Sequence, residues 1–164
     1  MSLEQTLITW AHLVSAAIWV GGGLFLGTVL APVLKNTSMS MQERMGLMIK
    51  VGRRFNVIAI PSLAILIVTG LYNSRLILTK SEILFDSEYG ILLLIKMVLV
   101  LAVIIVYAIH VRIIRGEIEK KVLSTLMLEQ EVQTLRKKII ILGEAISIMS
   151  VAILFLAAAL NSGL

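Results

Sequence analysis

Four blocks of apolar sequence, roughly 7–31, 56–78, 90–111 and 139–160, constrain this chain more than any other feature. A helix rising 1.5 Å per residue needs about 20 residues to cross a hydrocarbon core of about 30 Å. Each block meets that length. The expected fold is therefore all-α: one polytopic membrane domain over 1–164, built as an antiparallel bundle of four transmembrane helices in a lipid bilayer. Charged residues make up only 15% of the chain, against roughly 25% in soluble domains. Mean hydropathy is +0.99, which excludes a water-soluble globule. With no cysteine there is no disulfide framework, thiolate metal site or cysteine nucleophile, and a soft metal must rely on Met and His.

The net charge of +5 reads as membrane orientation rather than nucleic-acid binding. Of the 15 Lys and Arg residues, five lie in the first connection (Lys35, Arg44, Lys50, Arg53, Arg54). Seven lie in the third (Arg112, Arg115, Lys120, Lys121, Arg136, Lys137, Lys138). The opposite side carries only Arg75 and Lys80, with Glu4, Glu82, Asp86 and Glu88. The positive-inside rule then puts both termini outside a cytoplasmic (plasma) membrane and the basic loops in the cytoplasm. Amphipathic cytoplasmic helical segments are expected in both loops. Met41, Met45, Met48, Ile49 and Phe55 share one face of an interfacial helix. Ile118, Val122, Leu126, Leu135 and Ile139 suggest extensions of spans three and four, broken near Gly116, with Glu117 and Lys121 as an i,i+4 pair.

Ionisable residues inside a bilayer cost roughly 2.5–3.5 kcal/mol at its centre on insertion scales, so each is a functional candidate. His12 and Lys96 lie about 8–9 Å from the outer ends of spans one and three, and Asn73 reaches the same layer on span two. His110 and Glu144 fall in the opposite leaflet, where their simplest role is to satisfy each other or the nearby Arg53, Arg54 and Arg112. Helical phase gives each span a polar side that should turn inward. These sides are His12, Ser15, Trp19 and Gly22; Ser62, Thr69 and Asn73; Lys96, Tyr107 and His110; Glu144 and Ser147. Met97 is placed as a soft ligand near the His12 layer, whereas the run Met39, Met41, Met45, Met48 reads first as interfacial packing. No nucleophilic triad, phosphate loop, paired-carboxylate site or zinc motif is visible, and the balance is against an enzyme.

Two stretches carry a family resemblance. His12 to Gly22 resembles the H-x6-W-x-G-G pattern of copper resistance D (CopD) proteins, and Tyr89-Gly90 followed by Lys96 resembles their third span. Thr69-Gly70-Leu71 is similar to their T-G-L. The resemblance implies copper transport across the membrane with an extracytoplasmic copper-binding partner. It makes His12 and Lys96 the important polar pair, shaped by Trp19, Gly21, Gly22, Tyr89 and Gly90. Longer members have more spans, so a homodimer or larger membrane complex is also implied. A more distant similarity is to HemJ-type four-helix haem proteins, which implies haem b as an alternative cofactor. His12 and His110 differ in depth by about 20 Å, too far to ligate one iron together. A non-catalytic membrane subunit or assembly factor is the third reading.

Overall fold

In the computed structural model, which describes residues 2–114, 118, 121–122 and 129–162, the four apolar blocks are helices that outrun their apolar cores. We label them α1 (Leu3–Lys35), α2 (Met41–Leu78), α4 (Glu88–Ile113) and α5 (Glu129–Ser162), with a short α3 (Ser81–Asp86) before α4. All four long helices are apolar enough to cross a membrane. Their starts follow local chemistry. Ser2 and Ser87 accept from the backbone N–H of Gln5 and Gly90, and Ser40 forms a reciprocal capping box with Glu43. Each of these caps satisfies donors that the first helical turn leaves free.

The helices alternate in direction. Leu3 and Ser162 lie at one end, here the terminal face; the end of α1, the start of α2, the end of α4 and the start of α5 lie at the other, the basic face. Antiparallel register is fixed by contacts between helices. On α1 and α2, Glu4 meets Tyr72, Gln5 meets Asn73, and Gly22 meets Phe55. On α2 and α4, Asn56 meets Tyr107, and on α4 and α5, His110 lies against Gly143. Trp19 on α1 meets Ser150 on α5, so the four helices close into a bundle.

Two apolar clusters hold it. The central one buries Trp19, Val20, Ala59 and Val103. The one near the basic face buries Met45, Ile49, Ile114, Val122 and Val132, with Met41 packed on it. This second cluster changes an expectation. The segment from Met41 to Phe55 is not a separate helix on a leaflet but the first part of the 38-residue α2. Its apolar face finds α4 and α5 rather than lipid, so Met41 and Met45 fill protein core. The expected break at Gly116, the Glu117 partner of Lys121, and Leu126 lie outside the described residues.

Candidate functional site

His12 sits on α1 facing α2, where Thr69 and Gly70 receive it. Its Nδ1 lies 2.6 Å from Thr69 Oγ1, and the ring edge lies beside Gly70, where an added Cβ would be 3.7 Å from Cε1. Thr69 Oγ1 also lies 2.6 Å from the Ile65 carbonyl oxygen, to which its hydroxyl can donate. In the tautomer that carries Nδ1–H, His12 donates to Thr69 and Thr69 to Ile65. Nε2 then keeps its lone pair, the atom a metal ion would use, while the Nδ1 hydrogen bond holds the ring in place.

Lys96 is half-buried on α4. Met97 follows it and is half-buried. Asn73 does not join this layer. It is exposed and accepts from the Gln5 side-chain amide at 3.2 Å. One turn above Thr69, it meets the part of α1 that lies above His12, so Thr69 takes the role expected of Asn73. Tyr89 is also exposed, at the terminal end of α4.

Beneath the His12 layer lies a polar relay drawn from all four spans. Trp19 Nε1 donates to Ser150 Oγ at 3.0 Å, and its ring meets the Tyr107 ring edge to face at 4.8 Å between centroids. Tyr107 then donates to the Asn56 amide oxygen at 2.8 Å. Trp19, Ser150 and Asn56 are buried. Asn56 and Ser150 were not singled out from sequence. Ser150 continues a polar face at helical spacing after Gly143 and Ser147, whereas Asn56 lies about 120° round the helix from Ser62 and carries no such signal.

The Gly21-Gly22 pair divides in role. At Gly22 the Phe55 ring of α2 occupies the place a Cβ would take, whereas nothing lies within 4 Å of a Cβ at Gly21. π-helical turns at Ala17–Gly21 and Phe25–Leu30 flank this close approach, as wide turns often do near sites where helices are specialised. Gly22→Ala is expected to cost about 1–3 kcal/mol through overpacking. Gly21→Ala should leave stability unchanged or raise it, and unfolding in mixed detergent micelles separates the two.

At the basic face the expected pairing of His110 with Glu144 is absent. His110 packs beside Gly143 with a buried Nδ1 that has no hydrogen-bond partner. Glu144 is exposed. The reason is phase: Gly143, Ser147 and Ser150 face inward on α5, which turns the neighbouring Glu144 about 100° away. His110 is also held between α4 and α5 on the far side of the Trp19–Tyr107 relay from His12, so the two histidines do not share a site.

Among the described residues no group of three or more His, Cys, Asp or Glu could hold a metal ion. A tetrahedral zinc site of these ligand types is therefore not available from those residues.

The family model for copper resistance protein D matches residues 49–160. The chain belongs to the CopD family. Among curated relatives, copper transport protein CutJ of Bacillus subtilis is 31% identical over 123 residues, 75% of this chain and 22% of that protein. An uncharacterized protein of Aquifex aeolicus is 41% identical over 78 residues, 47% of this chain and 52% of the relative. The chain thus spans about half of one relative and about a fifth of the other. No solved structure matches. This CopD-family chain is a multi-pass membrane protein of a copper-related family.

Proposed function

We propose that this CopD-family protein moves copper across the plasma membrane, with Cu(I) as cargo held at His12 Nε2. The observation that supports the reading is the Ile65–Thr69–His12 contact chain, which with Nδ1–H as donor leaves Nε2 as the lone-pair nitrogen. Met97 supplies a soft sulfur donor from α4. Lys96 limits how tightly a cation is held, because a nearby ammonium repels it; a carrier site must release what it binds. The excess of Lys and Arg at the basic face favours both termini outside, so the site opens towards the terminal face and an extracytoplasmic copper-binding protein. The likeness to a relative named as a copper transport protein supports copper as the cargo.

The test is a Cu(I) titration of the detergent-purified protein against a competing chelator. One equivalent should bind, with loss of that equivalent in His12→Ala and weaker binding in Met97→Leu. Unchanged stoichiometry in His12→Ala would overturn the assignment, and a Soret band in the purified protein would move it to haem. Lys96→Met carries a further expectation. Removing a unit charge within about 10 Å of the bound cation, at an effective dielectric of about 20, should tighten Cu(I) binding by about tenfold or more, read in the same titration.

A further inference from the structure

Glu144 is an anomaly on the outer surface of the bundle. It lies on the exposed stripe of α5 formed by Ile141, Ile148 and Phe155, which are 62%, 70% and 70% exposed. A spanning helix normally gives such a stripe to lipid, and a carboxylate within it is costly. Alongside, the exposed stripe of α4 that contains Ile105 and Ile109 ends in exposed Arg112. No ion pair or hydrogen bond of Glu144 or Arg112 is found among the described residues. The two are nonetheless almost level. His110 lies against Gly143. From that level Arg112 is two residues towards the basic face and Glu144 one residue the other way, about 4.5 Å apart along the bundle axis.

We propose that the exposed faces of α4 and α5 are covered by a second copy of this chain. The pairing is isologous: Glu144 of each protomer meets Arg112 of the other. A two-fold axis along the membrane normal leaves each residue's depth unchanged, so each carboxylate meets a guanidinium offset by the same distance of about 4.5 Å along the axis and the contact is made twice. The long arginine side chain spans the small axial offset. The apolar stripes pack together on one side of these pairs, away from water. This dimer does not depend on the copper reading.

Charge reversal in the full chain tests it, with the dimer fraction measured by subunit-exchange fluorescence transfer in lipid vesicles at several protein-to-lipid ratios. The wild type should dimerise. Glu144→Arg and Arg112→Glu should each weaken the dimer tenfold or more, and the double reversal should recover most of that loss. Circular dichroism of each variant should retain the helical signal. A monomeric wild type at every ratio would assign the face to lipid and overturn the proposal. So would single reversals that dimerise normally, or a double reversal no better than either single.

Discussion

Trp19→Ala is expected to lower the stability of the bundle by about 3–5 kcal/mol, the range for removing a large aromatic side chain from a packed core. The indole touches three other helices at once. It fills the central cluster with Ala59 and Val103, meets the Tyr107 ring and donates to Ser150. Packing outweighs the hydrogen bond. Hydrogen bonds between membrane helices average about 0.6 kcal/mol, because the unfolded chain in the membrane also finds partners. Trp19→Phe, which keeps most of the ring and loses the donor, should therefore cost much less than Trp19→Ala. Reversible unfolding in mixed micelles of denaturing and mild detergent measures both. Equal losses would mean that the polar relay, and not the packed ring, holds the centre together.

Thr69→Val is expected to weaken Cu(I) binding by about 10–100-fold, the usual effect of losing a residue that orients a metal-binding histidine. Valine keeps the branched shape and removes the acceptor. His12 Nδ1–H then has no partner on α2, the ring is free to turn, and either nitrogen can carry the proton. Thr69→Ser should restore most of the affinity, because a serine hydroxyl can donate to the Ile65 carbonyl and accept from His12 in the same way. A Cu(I) competition titration reads all three proteins. Thr69→Val with wild-type affinity would remove the tautomer argument on which the site rests.

The bundle was legible in the sequence because apolar length is a nearly unambiguous signal in a chain with so few charges. The ends of the helices were not. Helix α2 begins at Met41 rather than near Asn56, since the amphipathic stretch between them packs on Ile114, Val122 and Val132, partners far away in the chain. Helical phase found the buried side of α1 through Ser15 and Trp19, but on α5 it grouped Glu144 with Ser147. The two are three residues apart and lie within one broad face; which half of that face turns inward depends on where α4 and α1 pack. Depth along the spans groups His12 with Lys96 without any knowledge of how the helices are rotated. The Thr69 contact, by contrast, depends on the rotation of α2 about its axis, which depth does not define. Equally, the need for glycine at position 22 but not at position 21 comes from the Phe55 ring, and no local pattern announces it.

Cu(I) held at His12 Nε2 would have an imidazole ring among its neighbours. X-ray absorption at the copper edge, recorded on protein loaded with one equivalent of Cu(I), tests it most directly. Scattering from one imidazole ring together with a sulfur neighbour is expected, the imidazole contribution vanishing in His12→Ala and the sulfur contribution in Met97→Leu. A copper environment free of imidazole, or one that survives His12→Ala intact, would contradict it.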